Sequence, residues 1–174
     1  MILGIISDTH NKVETIEKGL QLFTHHGVEQ IIHCGDWTTV ATMNLFMELA
    51  NKQKLPVKGV LGNRDTEIID TIKNSPGFVL PVDVAEQVIL KLGGKIIAVY
   101  HGHHKRTLRN LIVSQQYDVV CTGHTHKPKV QIFGRTLVIN PGSVAFTIPR
   151  SKNPVLCVAL YDTTDNQATL LPIF

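Results

Sequence analysis

The chain has three cysteines, Cys34, Cys121 and Cys157, and no C-x-x-C pair among them. An odd, scattered set argues against a disulfide framework and for a reducing compartment. Each cysteine sits in an apolar run, which assigns it to core packing. No apolar run reaches membrane-spanning length. Met1–Ile6 has neither the basic segment nor the length of a secretory signal. Internal repeats, low-complexity tracts and an interdomain linker are also missing. There is little excess charge of one sign: the formal net charge is +3. That permits an anionic substrate but does not describe a surface that coats nucleic acid. The expectation is a cytoplasmic protein with no membrane partner, a single domain over residues 1–174. A domain of this length buries roughly 70% of its unfolded surface and needs no disulfide staple.

What is present is a run of apolar strands, each followed by a polar cluster. Ile2–Ser7 is continuously apolar, as in a strand covered on both faces. A helix follows with Val13, Ile16, Leu20 and Phe23 on one stripe. Asn11 and Glu14 resemble a capping box, and Gly27 is a helix stop. Gln30–Cys34 is a second strand, with His33 a packed core histidine. Thr39–Ala50 is a second helix, and Val57–Leu61 a third strand. This βαβαβ order predicts a parallel sheet with right-handed crossovers. Beyond it, Val84–Leu92 and Lys95–Tyr100 flank Gly93-Gly94 as a hairpin. A helix over 105–116 and a strand over 118–122 come next. Two more hairpins follow, 129–133 with 136–139 and 155–161 with 168–171. The second half thus reads as mostly antiparallel. Two packed sheets with helices outside is the expected α/β architecture. Ser151–Pro154 reads as a surface loop, and residues 66–81 carry no readable pattern.

The polar clusters are Ser7-Asp8-Thr9-His10, Gly35-Asp36-Trp37, Gly62-Asn63-Arg64-Asp65, His101-Gly102-His103-His104 and Gly123-His124-Thr125-His126. In α/β sheets the carboxyl ends of strands share an edge where sites form. That edge would gather Asp8, His10, Asp36, Asn63, His101, His124 and His126. In extended backbone, residues two apart project to one side, so Asp8 with His10 and His124 with His126 would each point inward together. Oxygen and imidazole without thiolate suits Mn²⁺ first, with Fe, Co, Ni or Zn²⁺ as alternatives. Seven ligands exceed the needs of one ion. Two divalent ions roughly 3.5–4 Å apart, sharing Asp36, would use them all. A hydroxide bridging such ions suits in-line attack on phosphorus.

In this order the five clusters resemble the calcineurin-like metallophosphoesterases, in their small single-domain phosphodiesterase branch. The resemblance implies a four-layer α/β/β/α sandwich of two packed mixed sheets, with the chain through residue 174 in the second sheet. It implies one metal held by Asp8, His10, Asp36 and His126. A second would be held by Asp36, Asn63, His101 and His124. Asn63 would also touch a phosphate oxygen, and Asp65 would orient a ligand or loop. Many relatives carry histidine where Arg64 stands, and that histidine is thought to protonate the leaving group. Arginine is a poor acid but a fixed clamp for a phosphoryl oxygen. Leaving-group protonation then falls to His103, whose alternative role is to position His101. Trp37 would stack on a base or aryl group, or pack against the second helix. Lys105, Arg106 and Arg109 would draw phosphate, or form a solvated helix face.

The expected activity is hydrolysis of a small phosphodiester. The alternatives are a weak or inactive protein-binding scaffold of the same fold, a phosphomonoesterase, or a nuclease. A nucleic-acid substrate is the less favoured partner, and a homo-oligomer, dimer or higher, is expected, with the Val84–Tyr100 hairpin offering an edge.

Overall fold

The computed structural model describes residues 1–75, 79–82, 84–146 and 155–174. The loop read at Ser151–Pro154 lies outside the described residues. The first sheet has six strands. Four run parallel: β1 (Ile2–Ile6), β2 (Gln30–His33), β3 (Val57–Val60) and the two-residue β4 (Val84–Ala85). Helices α1 (Val13–His25), α2 (Val40–Lys52) and α3 (Thr66–Asn74) link them. The second sheet has five strands. At its centre β6 (Lys95–Tyr100), β7 (Val119–Cys121) and β9 (Thr136–Asn140) run parallel. Antiparallel β5 (Gln87–Leu92) and β8 (Lys129–Phe133) form its edges. Helix α4 (Lys105–Val113) connects β6 to β7. The final hairpin, β10 (Leu156–Asp162) and β11 (Gln167–Ile173), is antiparallel.

Three apolar clusters define four layers. Ile16, Leu20, Phe23, Met43, Phe46 and Ile68 pack the first three helices on one face of the first sheet. Leu3, Ile5, Ile32, Val60, Val99, Cys121 and Ile139 fill the space between the sheets. Leu111 packs on Ala98, Tyr100 and Val120 on the far face of the second sheet. β1 shows why its sequence is apolar throughout: Leu3 and Ile5 enter the inter-sheet core, while Ile6 faces the helices. Gly4 lies beneath the Phe23 ring, where a β-carbon would come within 2.9 Å of it. All three cysteines are buried and free, as core packing requires.

Three expectations need correction. Asn11 does not cap α1. The N-cap is Lys12, without a side-chain bond, and Asn11 Oδ1 instead accepts from the Thr39 and Thr42 hydroxyls. The 84–92 arm is not one strand. Val84–Ala85 pairs with β3 in the first sheet, and only from Gln87 does the chain pair with β6. The second half is mostly antiparallel, as expected, although β6, β7 and β9 are parallel at the centre of its sheet. The chain through residue 174 does not complete the second sheet. β10 returns to pair with β1 in the first, since the flank of β1 opposite β2 is otherwise an open ladder that must be paired. Among the described residues no helix is long and apolar enough to cross a membrane.

Candidate metal centre

The parallel strands of both sheets end on one rim. From the first sheet come Asp8 and His10 after β1, Asp36 after β2 and Asn63 after β3. From the second come His101 after β6, and His124 and His126 after β7. Contacts between these groups cross the inter-sheet boundary. His126 Nε2 is 3.0 Å from Asp8 Oδ1, and His101 Nε2 is 3.3 Å from Asp36 Oδ1. Asn63 Oδ1 is 3.1 Å from His101 Nε2 and 2.9 Å from His124 Nδ1. Asp36 turns its other oxygen, Oδ2, to His10 Nε2 at 3.6 Å. The structure therefore brings all seven predicted residues together: five of them form two compact donor groups, Asp8–His10–His126 and Asp8–Asp36–His101, and Asn63 and His124 stand beside His101.

They converge by a route different from strand alternation. Asp8, His10, Asp36, His124 and His126 have φ of 56°, 37°, 61°, 65° and 55°. This left-handed backbone costs on the order of 1 kcal/mol per residue. Asp and His tolerate it better than most side chains, and β-branched residues worst. Thr38, at φ 82°, is such a case. It is fixed by two bonds: its N–H donates to Asp65 Oδ1 at 2.7 Å, and its hydroxyl meets His10 Nδ1 at 3.0 Å. The sequence pattern carried no signal for Thr38.

Around this set, backbone groups orient the donors. His101 Nδ1–H donates to the Cys34 carbonyl at 2.7 Å, which leaves the Nε2 lone pair facing Asn63 and Asp36. Asp65 is buried and accepts from the N–H groups of Asp36, Gly62 and Thr38 at 3.0, 2.7 and 2.7 Å. It ties the loop after β2 to the loop after β3, as expected of an orienting residue. Burial pushes its carboxyl up to about 6, helped by the Asp36 charge and opposed by the three N–H bonds. Asp36 Oδ1 accepts the Arg64 N–H at 2.8 Å. Glycine is required where these loops touch. A β-carbon at Gly62 would overlap the Asp36 carboxylate, and one at Gly123 the Ser7 hydroxyl. Ser7 and Ser143 were also missed: Ser7 Oγ donates to Asp8 Oδ2, and Ser143 Oγ to the Asp8 carbonyl at 3.0 Å.

The donor chemistry fits cations. Asp8 Oδ1 and His10 Nε2 are buried without hydrogen-bond partners, 3.8 Å apart. The 3.0 Å approach of His126 to Asp8 Oδ1 lacks hydrogen-bond alignment. Unpaired buried groups of this kind are costly unless a ligand satisfies them. Burial holds His10 and His124 below the usual histidine range. The Asp8 carboxylate close beside it raises His126, against the effect of burial. For His101, burial works against the charged ring but is outweighed by Asp36 and Asp8, so its pKa rises. Burial also works against the Asp36 carboxylate, yet the His101 bond, the Arg64 N–H and His10 keep its pKa low. An ionised Asp36 among imidazoles is a metal-ready donor set.

A cleft of about 670 Å³ opens over the group, lined by His10, Asp36, Asn63, His124, His126 and Arg64, with Phe146 at its side. Arg64 is exposed there. His103 is not among the lining residues. It stands behind His101 and His124, with ring centres 5.8 and 6.5 Å away, and its Nε2 faces Glu86 at 3.7 Å. Trp37 offers no stacking surface to a substrate. It is fully buried, donates Nε1–H to the Val60 carbonyl at 2.9 Å and stacks on His33 at 3.5 Å. His33 is the core histidine expected. Lys105, Arg106 and Arg109 line a separate surface depression on α4, away from the cleft.

Residues 1–166 match the model of the calcineurin-like phosphoesterase superfamily domain. A phosphodiesterase of Methanocaldococcus jannaschii is 33% identical over 144 residues, 82% of this chain and 83% of that protein. The phosphodiesterase YfcE of Escherichia coli is 30% identical over 175 residues, 95% of this chain and 88% of the relative. Among solved structures, an archaeal phosphodiesterase superposes with a TM-score of 0.79 at 26% identity, covering 99% of both chains.

Proposed function

The chain belongs to the calcineurin-like phosphoesterase superfamily, and from that premise we propose that it is a phosphodiesterase acting on small diesters with two divalent cations at the rim. One observation carries the metal reading: the buried Asp8 Oδ1 and His10 Nε2 have no hydrogen-bond partner, and a cation between them would satisfy both. Asp8, His10, Asp36 and His126 would hold one ion, and Asp36, Asn63, His101 and His124 the other. Asp36 suits the shared position because its two oxygens face His10 and His101. Bound cations, Mn²⁺ foremost, supply Lewis acidity and a water activated for in-line attack on phosphorus.

The chain's own residues do the rest. Arg64, exposed in the cleft, pairs with a non-bridging phosphoryl oxygen as a fixed charge. Asn63 positions the phosphoryl group beside it. Thr38 and the Cys34 carbonyl lock the His10 and His101 rings, so that each presents Nε2. His103, set back from the cleft, reaches the leaving group only through an intervening water. A diester with a good leaving group needs that proton least, which makes aryl diesters the favoured test substrates. For the expected homo-oligomer, edge strand β5 is available, with Ile89 41% exposed.

The test is hydrolysis of bis-p-nitrophenyl phosphate by chelator-stripped protein, with and without Mn²⁺, beside His124→Ala and the monoester substrate. Turnover restored by metal, lost in the variant and weak on the monoester supports the reading. Metal binding with no turnover on any of these esters overturns it in favour of a scaffold.

A further inference from the structure

One donor cluster lies outside the seven residues of the rim. The segment after β6 continues as His103-His104, and Glu86 is the single residue between β4 and β5. Gln87 pairs with Tyr100, so Glu86 lies just past that rung and diagonal to His103. The chain's change of sheet at Glu86 thus delivers a carboxylate to the end of β6. His103 Nε2 stands 3.7 Å from Glu86 Oε1, and the His103 and His104 ring centres are 4.3 Å apart. One donor atom from each of Glu86, His103 and His104 lies within 4.8 Å of the others. The segment is anchored: the His104 N–H donates to the Tyr100 hydroxyl at 3.1 Å, and the His103 ring packs beside Tyr100 at 5.3 Å. His103 Nδ1 is buried and has no hydrogen-bond partner. A ring whose second nitrogen is unpaired is not held as a structural histidine ordinarily is, by bonds at both ends.

We propose that Glu86, His103 and His104 form a third divalent-cation site, of two imidazoles and one carboxylate with the remaining position open to water. The site shares no residue with the seven at the rim. Four-coordinate Zn²⁺ places its donors about 3.3 Å apart, which modest side-chain rotation reaches from the observed spacing. Imidazole-rich donors select Zn²⁺, Ni²⁺, Co²⁺ or Cu²⁺ over Mg²⁺ or Ca²⁺. One carboxylate, exposed Glu86 and the neighbouring Lys105 and Arg106 make it weaker than a buried centre with two carboxylates.

The experiment uses tag-free full-length protein dialysed against rising Zn²⁺ and counted for metal per chain, with ¹⁵N-imidazole resonances followed in parallel. Wild type is expected to bind three equivalents, the weakest of them shifting the His104 ring. Glu86→Gln and His104→Ala are each expected to stop at two, with hydrolysis of the aryl diester unchanged at low metal. The same stoichiometry in wild type and both variants, or an unmoved His104 resonance, overturns the proposal. Failure of the rim reading looks different: wild type would bind a single equivalent, and His104→Ala would bind none.

Discussion

The layer between the sheets and the rim above it are built from the same strands and follow opposite rules. Between the sheets, Leu3, Ile5, Ile32, Val99 and Ile139 are fully buried apolar residues in ordinary strands. Two residues beyond the end of β1 and three beyond that of β2, Asp8 and Asp36 are as buried as the core yet carry carboxylates on left-handed backbone. The first region satisfies every local preference, and the second violates several at once. Consistent packing below holds the inconsistent geometry above it. Damage to the two regions should therefore separate stability from activity.

The largest effect is expected at the rim. Asp36→Asn should lower kcat/KM by about 10³-fold, since it removes the carboxylate proposed to be shared by the two cations. It should leave the Tm of metal-free protein within about 4 °C, because Asn keeps the oxygen that accepts the Arg64 N–H. A collapse of Tm would mean that the rim is part of the core. The converse is Ile5→Ala, expected to cost about 2–5 kcal/mol in denaturant unfolding while kcat at saturating metal stays within about threefold. Thr38→Gly joins the two regions. Relief of its backbone strain should stabilise metal-free protein by about 1 kcal/mol, while freeing His10 should weaken metal affinity about 10–100-fold. A loss of both would show that the Thr38 methyl packs rather than strains.

The smallest effect is pH-dependent. Burial holds His33 well below the usual histidine range. The folded state therefore keeps it neutral, the unfolded state takes up a proton below about 6.5, and stability falls as pH drops through that value. The slope should reach about 1.4 kcal/mol per pH unit in urea titrations of metal-free protein. His33→Asn, which retains an acceptor for the Gly35 N–H, should flatten this dependence.

The strand ends were legible because strands buried on both faces are apolar without interruption, so their polar termini stand out. That is why all seven rim residues could be read from sequence. How they converge could not. Strand alternation was the wrong geometry, and left-handed φ at Asp and His leaves no mark in composition. Helix α3 leaves no mark in the sequence because only Ile68 on it is buried, which makes no apolar stripe. The break at Glu86 is one residue long, and Gly93-Gly94 marks a turn without saying where its arm begins. The sheet taken by β10 was equally hidden, since apolar strands suit either. Arg64 was recognised as a departure, but its backbone N–H, which grips Asp36, would come from any residue except proline.

The rim draws Asp8, His10, Asp36 and Asn63 from one sheet and His101, His124 and His126 from the other, over residues as far apart in the chain as Asp8 and His126. Nothing smaller than the docked pair of sheets contains a complete donor set. A cation seated there would act as a clasp between two halves that otherwise meet through hydrocarbon and a few hydrogen bonds at the rim, such as His101 Nδ1–H to the Cys34 carbonyl. Amide exchange in β6 and β7 should then slow in step with that in β1 and β2 as metal is added, although the two pairs of strands share no hydrogen bond.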